Sequence, residues 1–267
     1  MAYRLGFIGA GNMAGAILCG ILRQKIVPAE QISVFDRFPA QAERFSSEGC
    51  HPVGTLGELL AHSDLLFWCV KPQNLAELLE EVRAAGGVSG KLNVSIVTGK
   101  PAQTYFDVLG PIKLVLVMPN TPMLLGAGCS AVADGFNTTE EEFAFCRRIF
   151  EAAGTVGVVP PERLPEMVSV HGSTPAFFYR FVKVITDHMA GKGFDRDMVL
   201  RMVASTMLGS AKMLLESGMT PDELIRQVSS PGGTTLAGLA ALDETGLDEA
   251  LRKGLDAASR RSYELGK

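Results

Sequence analysis

The segment Leu5-Gly6-Phe7-Ile8-Gly9-Ala10-Gly11-Asn12-Met13-Ala14 carries an apolar strand into a glycine turn and on into a helix-like run. A dinucleotide fold needs strand, turn and helix in that order. Gly9 permits the tight turn, Gly11 lets a pyrophosphate reach the backbone, and Ala14 lets the helix lie close to the strand. A Gly-x-Gly pair alone is weak evidence, and the flanking strand and helix give it weight. Ile8, Gly9, Ala10, Gly11, Asn12 and Met13 are the first candidates for holding a cofactor.

Three later stretches belong at the same sheet edge. Val34-Phe35-Asp36-Arg37 ends a second strand, where such a fold meets the adenine ribose. Its two side chains point in different directions: Asp36 accepts from a free 2′-hydroxyl and repels a 2′-phosphate, whereas Arg37 binds that phosphate, stacks on adenine or stays a solvated surface charge. Leu65-Leu66-Phe67-Trp68-Cys69-Val70-Lys71-Pro72 reads as a buried strand ending in Lys-Pro, so Lys71 is placed to touch cofactor or substrate, with Val70 and Pro72 as an apolar wall. Met118-Pro119-Asn120-Thr121-Pro122 follows another strand. There Asn120 offers both a donor and an acceptor, to an amide-bearing ring such as nicotinamide or to its own proline-fixed turn.

The pattern around these motifs predicts strands near 3–8, 31–36, 64–70, 93–97, 113–117, 128–133 and 155–159, with helices over 12–25, 39–48, 73–84 and 139–153. After Pro160-Pro161 the strand pattern stops, and Met-, Leu- and Ala-rich helices are expected at 174–192, 196–217, 220–228 and 247–265. The fold class is α/β, a Rossmann-like mostly parallel sheet domain over 1–160 followed by an all-α helical domain over 161–267. The apolar faces of the second part, with Met198, Met202, Met207 and Met213, are broad for so small a bundle to cover, so another subunit is expected against them.

Composition narrows the functional class. With 20% charged residues and a net charge of −4, the chain has no basic field for nucleic acid or anionic lipid. No secretory leader and no uninterrupted apolar run of membrane-spanning length are apparent. Five scattered cysteines and four dispersed histidines offer no metal-ligand spacing. These features suit a cytoplasmic metabolic protein acting on a small molecule.

The second informative motif is Ser229-Ser230-Pro231-Gly232-Gly233-Thr234-Thr235, a Pro-Gly-Gly turn at the start of a helix-like run. Unpaired backbone N–H groups and a helix N-terminus favour a small anion such as a carboxylate, although an ordinary turn with a Thr cap has the same composition.

With Gly9-Ala10-Gly11-Asn12-Met13, Val70-Lys71-Pro72, Met118-Pro119-Asn120-Thr121-Pro122 and Ser230-Pro231-Gly232-Gly233-Thr234-Thr235 in this order, the chain closely resembles pyrroline-5-carboxylate reductases over nearly its whole length. The resemblance implies a nicotinamide-binding domain and a helical dimerisation domain, a homodimer or larger homo-oligomer, and reduction of 1-pyrroline-5-carboxylate to proline with NADPH, NADH being possible. It further implies that Ser230, Gly232, Gly233 and Thr234 bind the substrate carboxylate. Thr235 would then face the ring nitrogen as the catalytic residue. Departures from the family pattern are His171 and Thr174 in place of a Ser and a Gly, Leu116 in place of an Arg, and Asp36 in place of a neutral residue. His171 is open to two readings, proton-transfer partner or hydrogen-bonded structural histidine.

Two other functions fit parts of the pattern. A 3-hydroxyacid dehydrogenase shares the Gly-x-Gly opening, but Phe178 stands near the place of its lysine base. A non-catalytic NADP(H)-sensing module would have no need of Ser230 through Thr235.

Overall fold

The computed structural model describes residues 3–266. The chain forms two compact units, one containing the residues up to Gly172 and those from Ala258 onward, the other Ser173–Ala257. The first holds β1 (Leu5–Ile8), α1 (Asn12–Arg23), β2 (Ile32–Phe35), α2 (Pro39–Glu43), β3 (His51–Pro52), α3 (Leu56–Ala61), β4 (Leu65–Trp68), α4 (Leu75–Ala84), β5 (Leu92–Ser95), α5 (Ala102–Leu109), β6 (Lys113–Pro119), β7 (Gly128–Ala133), α6 (Glu140–Glu151) and β8 (Gly154–Val159).

The eight strands form one sheet in the order β3-β2-β1-β4-β5-β6-β7-β8, parallel except where β6 meets β7. The order runs outward both ways from β1 and β4, and the crevice at such a reversal, beyond the carboxyl ends of the strands, is where open α/β sheets bind ligands. Alternation along each strand explains why both faces need helices. On β1, β4 and β6 the side chains Leu5, Phe7, Leu65, Phe67, Val115 and Val117 join one buried cluster, with Ile17 and Ile21 of α1 and Phe150 of α6. The intervening Ile8, Leu66, Trp68, Leu114 and Leu116 join a second cluster, with Leu78 and Leu79 of α4 and Tyr105 of α5. Each large apolar side chain so buried contributes roughly 1.5–3 kcal/mol. Among the polar residues buried in the sheet, Asn93 accepts from Trp68 Nε1 at 3.1 Å and donates to the carbonyls of Lys91 and Lys113, so its amide is paired on both sides.

The mostly parallel sheet agrees with the reading of the sequence, and all seven expected strands are present. The two-residue edge strand β3 and the short helices α3 and α5 fall below the length at which a period can be read. The helix expected over 39–48 is broken into α2 and a 3-10 turn at Ser46–Glu48, which ends at Gly49 with φ of +87°.

The strand pattern stops at Pro160, yet the compact unit continues to Gly172, because the 3-10 segment Pro161–Val168 places Leu164 in the second cluster. The last turns of the helix Leu247–Leu265 belong here as well. Tyr263 Oη donates to Glu166 Oε1 at 3.0 Å, the Ser259 and Ser169 hydroxyls lie 2.6 Å apart, and a Cβ added at Gly99 would lie 2.8 Å from that of Leu265.

The second unit is helical, with α7 (Thr174–Ala190), α8 (Arg196–Glu216), α9 (Pro221–Gln227), α10 (Thr234–Glu244) and the first half of α11 (Leu247–Leu265). Asp195 caps α8 by accepting from the Met198 N–H at 2.7 Å, and Thr220 with Glu223 forms a capping box on α9. Within this unit Val199 and Thr186 are buried, while Phe178, Phe181, Val184, Met202, Leu208 and Leu215 lie exposed. Helices with so much uncovered apolar surface imply a further surface packed against them. By length and composition α8 could cross a bilayer, whereas in sequence Arg201 and Lys212 interrupt its apolar run.

Candidate active site

The glycine turn after β1 is held from two sides. Gly9 N–H donates to Phe35 O at the end of β2, and Cys69 N–H beyond β4 donates to Ile8 O, both at 2.8 Å. Gly9 has φ of +96°, and a Cβ there would come within 2.6 Å of the Cys69 carbonyl oxygen. Backbone conformation and close approach each require glycine, so Gly9→Ala is expected to destabilise the unit by about 3 kcal/mol or more. Differential scanning calorimetry would register this as a melting point roughly 10 °C lower. An unchanged melting point would show that the turn relaxes freely.

Two residues on, the surroundings reverse. Gly11 is the N-cap of α1 in ordinary extended geometry (φ −73°, ψ −173°), no side chain caps the helix, and nothing lies within 4 Å of where its Cβ would be. The first-turn N–H groups of α1 have no acceptor within the helix, and the helix dipole adds positive character beside an open cradle. A pyrophosphate fits there. Arg44, which the sequence did not suggest, reaches back from beyond α2 and donates to Ala10 O at 2.5 Å and Gly11 O at 3.1 Å. Its guanidinium lies 4.7 Å from the Phe45 ring centroid, adding a cation beside the turn.

A cavity of about 250 Å³ opens from this turn and brings together Ile8, Gly9, Gly11, Asp36, Arg37, Val70 and Lys71 from the ends of three adjacent strands. Pro72 starts the 3-10 turn that follows Lys71, and Ala10, Asn12 and Met13 complete the turn and the first residues of α1. Burial pushes the Cys69 thiol well above its ordinary range, which makes it packing rather than a nucleophile.

Asp36 and Arg37 both have protein partners. Asp36 Oδ2 accepts from Ala10 N–H at 2.8 Å and Oδ1 from Phe38 N–H at 2.9 Å, so the carboxylate ties the end of β2 to the glycine turn. The Arg37 guanidinium divides between two carboxylates of α4, with Nη1 2.8 Å from Glu77 Oε2 and Nη2 2.5 Å from Glu81 Oε1. Its hydrogen bond to Glu77 raises its pKa further.

The Asn120 amide has protein partners at both ends. Its Nδ2 donates to His171 O at 3.1 Å and its Oδ1 accepts from Cys129 N–H at 2.8 Å, in a residue only 9% exposed. His171 closes the same knot. It is 5% exposed, and its Nε2 donates to Met118 O at 2.7 Å. Both side chains fix the loop beyond β6 to the segment after β8.

A further cavity of about 380 Å³ lies at the carboxyl ends of β5 and β6 and is lined by Val97, Thr98, Lys100, Met118, Leu164 and Tyr263 among others. The turn after β5 was not singled out in the sequence, although Gly99-Lys100-Pro101 directly after a strand carries the signal. Among the described residues no group of His, Cys, Asp and Glu could hold a metal ion.

In the second unit, the Ser-Pro-Gly-Gly turn leads directly into α10. Gly233 N–H donates to Ser230 O at 2.9 Å, Gly232 has φ of +71°, and Gly233 is the N-cap, with no side chain capping the helix. A Cβ at Gly233 would lie 2.5 Å from Ser230 Oγ and 3.0 Å from Ser230 O. The N–H groups of Thr234 and Thr235 thus open α10 with no intrahelical acceptor, and Thr235 is half-buried beside them.

Comparison with known proteins gives consistent results. A family model described as pyrroline-5-carboxylate reductase dimerisation matches residues 161–265, and one described as NADP oxidoreductase, coenzyme F420-dependent, matches residues 4–99. Pyrroline-5-carboxylate reductase from Methanosarcina acetivorans is 36% identical over 266 residues, covering 99% of this chain and 98% of the relative. The structure of a pyrroline-5-carboxylate reductase from Coxiella burnetii superimposes with a TM-score of 0.92 at 27% identity over 100% of both chains. That of Plasmodium falciparum pyrroline carboxylate reductase with NADP bound gives 0.89 at 26% identity, over 99% of this chain and 98% of the other.

Proposed function

The chain belongs to the pyrroline-5-carboxylate reductase family, and from that membership we propose that it reduces 1-pyrroline-5-carboxylate to L-proline, the closing step of proline biosynthesis. The observation that carries this reading is the N-terminus of α10, which opens on a Gly-Gly turn with Gly233 as its N-cap and no side chain capping it, as α1 opens on the glycine turn at Gly11. One suits a pyrophosphate and the other a carboxylate. NADPH, when bound, supplies the hydride.

The chain's own residues position and polarise. Ser230, Gly233 and Thr234 hold the substrate carboxylate mainly through backbone N–H groups, with Gly232 supplying the turn conformation, so the ring is held in one orientation. Thr235 hydrogen-bonds the ring nitrogen. A protonated imine is already electrophilic, so the hydroxyl orients the ring and relays a proton; it is too weak an acid to protonate unaided. Ser173–Ala257 supplies the dimerisation and substrate-binding helices, and the sheet unit, which takes in the residues up to Gly172 and the end of α11, binds the nucleotide. The exposed apolar side chains of α7 and α8 support a homodimer. Five free thiols support a cytoplasmic location.

Following absorbance at 340 nm with pyrroline-5-carboxylate and either nucleotide tests the activity, and a flat trace with both would overturn it. Thr235→Ala is expected to lower kcat about 100-fold while the NADPH Kd stays within twofold. Unchanged kcat would remove Thr235 from the mechanism.

A further inference from the structure

Arg37 is the cation at the end of β2 from which a coenzyme 2′-phosphate would be recognised, and two carboxylates already hold it. Glu77 and Glu81 are four residues apart on α4, so they share one face of the helix and reach the two terminal nitrogens of the Arg37 fork separately. Asp36 lies next in the chain and lines the same cavity. Two carboxylates therefore hold one guanidinium where the 2′ substituent would be read, with a third, that of Asp36, on the cavity wall beside it.

We propose that Glu77 and Glu81 are specificity-determining residues that set the choice between NADPH and NADH. A 2′-phosphate has to displace at least one of them from Arg37 and then lie within a few ångströms of the carboxylate it displaced. A 2′-hydroxyl brings no charge and leaves both ion pairs in place. It also finds Asp36, each of whose oxygens accepts only one backbone N–H and keeps a lone pair free. The two glutamates thus weaken NADPH binding selectively and keep NADH competitive. The Arg37, Glu77 and Glu81 side chains are 42%, 66% and 40% exposed, so the pairs add little to the fold and can be removed without disturbing it.

The inference rests on the proposed coenzyme role of this cavity, and its test needs no imine substrate. NADPH and NADH are titrated separately against the wild type and Glu77→Gln/Glu81→Gln, following nucleotide fluorescence. The NADPH Kd is expected to fall about tenfold in the double variant, with the NADH Kd within twofold, and adding Arg37→Ala is expected to abolish the gain. An unchanged NADPH Kd overturns the inference, and so does a parallel shift for both nucleotides. Failure of the wild type to bind either nucleotide would instead overturn the coenzyme reading along with it.

Discussion

Gly11→Asp is expected to raise the NADPH Kd at least about 100-fold and to leave the protein as stable as before or slightly more so. The two halves of this result have one cause. Gly11 has the extended geometry of an ordinary N-cap, and no heavy atom outside its chain neighbours lies within 4 Å of its Cβ position, so the fold accepts a side chain there. Aspartate is a better N-cap than glycine and complements the helix dipole. Its carboxylate, however, fills the space and takes the N–H groups that a pyrophosphate needs. Two like charges about 4 Å apart near a protein surface repel by about 4 kcal/mol, more than enough for the stated loss. Fluorescence titration with NADPH and a thermal melt of the same sample check the result. A Kd within threefold of the wild type would mean that the pyrophosphate lies elsewhere, and a large drop in melting point would mean that Gly11 is there for the fold.

Gly233→Val is expected to raise the KM for pyrroline-5-carboxylate about 100-fold, with the NADPH Kd within twofold. Gly233 is the residue that closes the turn, and its Cβ would crowd both the hydroxyl and the carbonyl of Ser230. The Ser230 hydroxyl can rotate away, but the carbonyl is fixed by the hydrogen bond from Gly233 itself, so the turn must open and the N–H groups of Thr234 and Thr235 move off the carboxylate. Two charge-assisted hydrogen bonds weakened by about 1.5 kcal/mol each account for the factor. Initial rates against imine concentration measure it. A KM within threefold would show that the turn is only local architecture.

The parts of the fold that follow from short-range pattern were readable beforehand. Leu5 to Ala14 gives strand, turn and helix because the apolar alternation, the two glycines and the small Ala14 are all local. The turn at 230–235 was readable for the same reason. What escaped depends on residues far apart in sequence. Asn120 has the composition of a ligand-facing amide, and only the approach of His171 and Cys129 shows it to be a brace. Asp36 and Arg37 were correctly placed at the cavity, yet their partners, Ala10 twenty-six positions before Asp36 and Glu77 and Glu81 forty and forty-four after Arg37, cannot be read from spacing. Arg44 carried no motif at all and is placed by the packing of α2 and Phe45.

The return of Ala258–Gly266 to the first unit governs when that unit is finished during synthesis. Its sheet can pair as soon as β8 has left the ribosome, but Tyr263, Ser259 and Leu265 reach Glu166, Ser169 and Gly99 only after all of Ser173–Ala257 has been translated. For an interval on the order of ten seconds the nascent nucleotide-binding unit stands without those contacts. The exposed helices of the second unit emerge in the same interval. An unfinished first unit and uncovered apolar helices therefore coexist on each growing chain, which makes this the stage at which chaperone capture and premature association between neighbouring nascent chains compete most directly with correct folding.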